Sequence, residues 1–132
     1  MCIFCDIANK KIQSEIIYED ADLLAFLDID PINIGHTLII PKKHSENFLN
    51  DENFNQKALI LASKISKILL KEYDGVNILM NTNKAAGQEV FHTHMHVIPR
   101  IQNDNSISFI KTKKDNNKND YIKQILKEGL ND

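Results

Sequence analysis

The run Phe91-His92-Thr93-His94-Met95-His96-Val97-Ile98 constrains this chain more than any other segment. Side chains on a β-strand alternate between faces, so a strand over residues 90–98 puts His92, His94 and His96 on one face. Successive rings then stand about 6.6 Å apart along the strand. A lone histidine is usually a satisfied structural residue, but three aligned imidazoles are not a core pattern. Three at period two, beside the polar loop 81–88 with its small residues Ala85, Ala86 and Gly87, are hard to read as structural residues.

The other elements follow from periodicity and turn chemistry. Residues 3–11 read as a short helix with Phe4, Ile7 and Ala8 on one side. Three β-rich runs follow, at 16–18, 23–29 and 37–40, with Asp20-Ala21-Asp22 as a tight turn. Pro31 and Gly35 mark the loop 30–35, and Pro41 ends the third strand. Ala58, Leu61, Ala62, Ile65, Ile68, Leu69 and Glu72 recur at helical spacing, with Lys57, Lys64, Lys67 and Lys71 opposite. Asp51 or Asn53 can cap this helix, and Asp74-Gly75 stops it. Residues 76–80 form a fourth strand, and Pro99 closes the fifth. Residues 1–100 then make one domain. Residues 101–132 make a polar, partly mobile extension in which Tyr121, Ile122, Ile125 and Leu126 predict a short docked terminal helix.

Two chemistries suit the three histidines. They could bind a transition metal, but a third ligand on one strand is badly placed for the same ion, and no nearby Asp or Glu completes a facial triad. Alternatively one of them is a nucleophile: neutral imidazole attacks phosphorus or carbonyl carbon once its other nitrogen's proton is held. His94 alone has a histidine on both sides, which favours it for that role. His36, after Gly35 at a strand mouth, and His44, opening a loop, read in isolation as structural or exposed. Asp28 can accept from ribose hydroxyls or merely solvate a turn. Cys2 and Cys5 have the spacing of a metal hook or a redox pair and are too close to staple a fold.

Composition narrows the partners. The chain has 132 residues and a formal net charge of −2, which argues against nucleic-acid or membrane-surface binding. Of its 16 basic residues only Arg100 is arginine, so no multi-arginine phosphate clamp exists. No apolar run approaches the roughly 18 residues a membrane span needs, and the N-terminus lacks a signal-peptide layout. A cytoplasmic location is expected.

The sequence resembles the histidine triad (HIT) family, in particular its small nucleotide-binding branch with nucleoside phosphoramidase activity. Residues 88–98 carry the H-x-H-x-H signature, and 3–7, 24–29 and 35–44 match in the family's order. The resemblance implies an α+β fold with an antiparallel sheet of about five strands and one long helix with one or two short ones. It implies a homodimer joined through the long helix and the strand after it.

It also implies the roles of individual residues. His94 would be the nucleophile that forms a nucleotidyl-histidine, its ring proton held by the His92 carbonyl. His96 would hydrogen-bond a phosphate or bridging oxygen, with His36 supporting the site. Asp28 would accept from ribose, and Phe4, Ile7, Phe26 and Ile29 would wall a purine of the AMP or GMP type. Asn81, Gln88 and the amides of Glu89 and Val90 would face phosphate. No cofactor is needed for catalysis. A structural zinc on Cys2, Cys5, His44 and His92 is implied by members with the same N-terminal cysteines, the other reading being a free thiol pair. Glu89 departs from the serine of animal phosphoramidases, because a carboxylate cannot donate to phosphate unless protonated. The resulting expectation is hydrolysis of purine nucleoside 5′-phosphoramidates. A dinucleoside polyphosphate hydrolase and a nucleotide-binding adaptor with incidental hydrolysis stand as alternatives.

Overall fold

The computed structural model describes residues 2–132. Five antiparallel strands form one sheet in the order β1-β2-β3-β5-β4: β1 Glu15–Glu19, β2 Leu23–Leu27, β3 Thr37–Pro41, β4 Gly75–Leu79 and β5 Met95–Arg100. Helix α1 spans Ile3–Ala8, α2 spans Glu52–Leu69 and α3 spans Asn119–Leu130.

Strand alternation divides the core between the two faces of the sheet. Leu23, Ala25, Ile39, Met95 and Val97 point to one face and meet Phe54, Ala58, Leu61, Ala62 and Ile65 of α2. Leu24, Phe26, Leu38 and Ile40 point to the other and meet Phe4 and Ile7 of α1. The turn between β1 and β2 is an Asx turn, with the Asp22 and Leu23 amides donating to Asp20 Oδ1 at 2.8 Å each. Asp51 caps α2 by accepting from the Phe54 amide.

Several boundaries differ from the sequence reading. Helix α2 starts six residues before Ala58, buries Phe54 and ends at Leu69, so Glu72 lies beyond it and Ile68 is exposed. Strand β2 stops at Leu27, although Asp28 extends the pairing with one bond to the His36 carbonyl. The fifth strand runs through Pro99 instead of stopping before it. The β3–β5 ladder ends at Thr37 and Val97, so the proline's missing donor falls where β3 has already parted. Its carbonyl, on the same side, accepts from Asn33 Nδ2 at 2.8 Å. Helix α3 forms as its spacing predicts but is not docked: every residue in it is exposed.

Candidate functional site

The histidine segment only partly lies in the sheet. His96 sits in β5, opposite Leu38, whereas His92 and His94 precede the strand. Alternation continues through this irregular stretch because Thr93 is anchored in place of a ladder. Its amide donates to the Ser45 carbonyl at 2.7 Å, and its hydroxyl lies 2.7 Å from Ser45 Oγ. All three rings therefore reach the α1 face. Phe4 packs edge-on to His92 and His94, with centroids 5.9 and 5.0 Å away, and His94 and His96 are 4.9 Å apart.

Hydrogen-bond partners fix the tautomers. His94 Nδ1 lies 2.7 Å from the His92 carbonyl, which can only accept, so Nδ1 carries the proton and Nε2 keeps a free lone pair. The Ile32 amide donates to His36 Nδ1 at 3.1 Å, so His36 carries its proton on Nε2. That Nε2–H donates to His96 Nδ1 at 2.9 Å, which leaves His96 with Nε2–H outward. The site thus pairs a nucleophilic nitrogen with an adjacent N–H donor, both on neutral rings. Burial opposes their protonation. It lowers the affinity of His36, His92 and His94 for a proton, and with His94 and His36 alongside it holds His96 down to about 4.

Asp28 joins this group from the end of β2. Its Oδ2 lies 3.7 Å from His36 Nε2, and its Oδ1 accepts from the Asp30 amide. Asp28, His36 and His96, which the family resemblance put in one site, form a two-histidine, one-carboxylate set that spacing alone does not reveal, since 68 residues separate Asp28 from His96. The tautomers argue against a metal there. The Ile32 amide occupies the lone pair of His36 Nδ1, so the ring presents a proton to the centre.

The second cluster has the opposite polarity. Cys2 Sγ, Cys5 Sγ, His44 Nδ1 and His92 Nδ1 all lie within 4.8 Å of one another. The Cys2–His92, Cys5–His44 and Cys5–His92 sulfur–nitrogen separations are 3.3, 3.4 and 3.5 Å, and the two nitrogens are 3.1 Å apart. A tetrahedral zinc with ordinary bond lengths sets these at about 3.5 and 3.3 Å. His92 Nε2 donates to the Pro41 carbonyl at 2.8 Å, which leaves Nδ1 as a free lone pair and supplies the outer-shell acceptor that zinc-bound histidines use. The four residues fit zinc in donor type and spacing, and His92 also in tautomer.

The remaining site residues of the sequence reading fall into two groups. Phe4, Ile7 and Phe26 are buried together beneath the histidines, whereas Ile29 is fully exposed on the following loop and not packed with them. Gln88 is buried, and its side chain holds the loop instead of facing outward. Its Nε2 donates to the Glu46 and Val90 carbonyls at 2.7 and 3.1 Å, and its Oε1 accepts from the Asn83 amide at 2.8 Å. Asn83 and Gly87 have φ of +72° and +93°, and Asn81 packs beside Gly87. Glu89 is exposed and shares an opening with Val90, His44 and Cys2 on the zinc-type cluster's side. Sequence reasoning missed Ile32, whose contribution is a backbone amide with no side-chain signature, and Thr93 with Ser45, which read as ordinary polar residues.

Residues 9–103 match the family model described as HIT domain. An uncharacterized HIT-like protein of Borreliella burgdorferi is 54% identical over 108 residues, 78% of each chain. The adenylylsulfatase HINT3 of Arabidopsis thaliana is 39% identical over 108 residues, 78% of this chain and 54% of its own length. Among solved structures, a histidine triad nucleotide-binding protein of Candida albicans superposes with a TM-score of 0.83 at 34% identity, covering 98% of this chain and 97% of that one. A zinc-bound histidine triad family protein of Mycobacterium smegmatis superposes with a TM-score of 0.75 at 37% identity, covering 86% and 84%.

Proposed function

The chain belongs to the HIT domain family, and from that premise we propose that it is a nucleotide hydrolase or transferase acting through His94. The observation that carries the reading is the tautomer pair: His94 with Nε2 unprotonated beside His96 with Nε2–H outward. His94 Nε2 attacks the α-phosphorus of a purine nucleoside 5′-phosphoramidate as the bond to the amine breaks. Water then cleaves the nucleotidyl-histidine. Asp28 accepts from the ribose, and Phe4, Ile7, Phe26 and Ile29 border the base. Asn81 and the amides of Glu89 and Val90 face phosphate, with Gln88 holding their loop.

His96 donates a hydrogen bond to a phosphate or bridging oxygen. Its Nδ1 already accepts from His36, so giving up the Nε2 proton would leave an imidazolate. A departing amine must therefore take its proton from water. That feature favours a second reading, cleavage of a nucleotidyl anhydride, whose phosphate- or sulfate-type leaving group needs no proton. Cys2, Cys5, His44 and His92 would hold a zinc. A bound zinc would tie α1 to the end of β3 and to the His92 segment, with no open position for chemistry. A cytoplasmic homodimer joined through α2 and β4 completes the proposal; the exposed Leu59 and Ile78 lie on those elements.

The test is turnover by the wild type and His94→Gly on adenosine and guanosine phosphoramidates, adenylylsulfate and a dinucleoside polyphosphate. Loss of a covalent nucleophile should lower kcat by several orders of magnitude, with nucleotide binding retained. Near wild-type turnover by His94→Gly would reject the mechanism. Binding without turnover on the whole panel by the wild type would favour an adaptor.

A further inference from the structure

Two apolar surfaces of this chain face solvent, and each lacks a cover. Helix α2 packs on β3, β4 and β5 and on Leu23 and Ala25 of β2, and leaves Ile17 of β1 and the Leu27 end of β2 uncovered on that face. The result is a groove of about 710 Å³, lined chiefly by Ile17, Leu23, Leu27, Ile60, Ile65 and Ile68. Ile60 and Ile68 are 61% and 63% exposed. The groove lies on the sheet face opposite the histidines.

The other surface is the C-terminal arm. Tyr121, Ile122, Ile125, Leu126 and Leu130 form one apolar stripe on α3, and Phe109 and Ile110 stand exposed in the irregular segment before it. The last tie to the body is Asn33 Nδ2 to Ser106 Oγ at 3.1 Å. Among the described residues, no hydrogen bond or ion pair joins 107–132 to the rest. An isolated helix shorter than about 12–15 residues is marginal in water, so α3 needs a surface to pack on.

We propose that α3 of one copy docks into the α2–β1–β2 groove of a second copy, and the reverse, as a reciprocal arm exchange. The arm has the reach: segment 107–118 extends up to about 40 Å, against a radius of gyration near 13 Å for a body of this size. It leaves the body at Ser106 as a segment without regular structure that bears its own exposed apolar side chains, and every residue of α3 is exposed. A stable interface buries about 800 Å² per partner. One 12-residue helix, about 18 Å long, falls short of that, but two-fold exchange doubles the contact and adds both arms. The groove lips carry both signs, Lys64 on α2 and Asp20 after β1. The flanks of α3 do likewise, with Lys123 and Lys127 against Asp120 and Glu128. The exchange uses surfaces other than Leu59 and Ile78, so it stands independently of the α2–β4 contact.

The test mixes two full-length variants, Ile60→Cys and Ile125→Cys, under mild oxidation, with each variant alone as a control for Cys2 and Cys5. Exchange predicts a disulfide-linked species of twice the 15.1 kDa chain mass, abundant only in the mixture. The absence of that species would overturn the proposal, as would a linked monomer in a chain carrying both substitutions with no linked dimer from the mixture. Sedimentation supplies an independent arm. Ile122→Asp with Leu126→Asp should weaken self-association by at least about tenfold, each buried aliphatic being worth that much or more, with turnover per folded site unchanged. Undiminished association in that variant would refute the exchange and leave an α2–β4 dimer standing.

Discussion

Acidification should destabilise this fold through His96 in a calculable window. The free side chain titrates near 6.5, whereas in the folded chain burial, with His94 and His36 alongside, holds the group down to about 4. The folded state therefore binds fewer protons than the unfolded chain between those values. Stability is complete above the unfolded value and is lost as pH falls toward the folded one. At pH 4.5 the integrated loss from this one group is about 2.5 kcal/mol, at about 1.36 kcal/mol for each pH unit crossed between the two values. With about 2.1 cal/mol/K of unfolding entropy per residue over the chain, that is about 9 °C in Tm. Carboxylates also titrate in this window, so the measurement is a difference. The wild type and His96→Asn are compared by urea denaturation at half-unit steps from pH 7.5 to 4.5. Asparagine keeps an acceptor for His36 but takes up no proton. The wild-type curve should fall more steeply, by up to one proton's worth of slope, and the gap should narrow by about 2–3 kcal/mol on reaching pH 4.5. Parallel curves would refute the claim that buried neutral imidazoles define this site.

Other perturbations separate the parts of the site. Gln88→Ala leaves the Glu46 and Val90 carbonyls and the Asn83 amide without their partner, so it should cost about 2–4 kcal/mol by denaturant titration; a loss below about 1 kcal/mol would show that water replaces them. Gly87→Ala introduces a Cβ at φ +93° and 3.6 Å from Asn81 Nδ2, and should destabilise by about 1–2 kcal/mol while raising KM more than it lowers kcat. Cys2→Ser with Cys5→Ser should abolish one equivalent of zinc per chain in elemental analysis and lower Tm, with turnover partly retained. Wild-type protein that is metal-free and equally stable would refute the zinc site and free His92 for a role in catalysis. Under the proposed mechanism the acid limb of kcat/KM should fall below pH 6.5, because an attacking His94 would have to be unprotonated and burial lowers its proton affinity; an acid limb at or above that value would contradict this.

The sequence determined the elements, because periodicity is a local property. The period-two histidines, the three- and four-residue stripe of α2 and the Asp20 turn were readable without a partner strand. His94 and His96 emerge from the same run. The cysteine spacing and the family's motif order supplied the zinc-type set, and the structure gathers those four residues within 4.8 Å of one another. Tertiary structure decided what depends on distant contacts. Pro99 continues β5 only because β3 has diverged there. Asp28 reaches His36 and His96 only because β2, β3 and β5 are neighbours in the sheet. Which nitrogen of each ring carries the proton is set by the Ile32 amide and by the His92 and Pro41 carbonyls, backbone atoms common to every residue and so invisible in a string of side chains. The same holds for α3. Its stripe announces an amphipathic helix, but whether such a stripe meets its own body or a second copy depends on the shape of a groove and the reach of an arm. No local pattern encodes either.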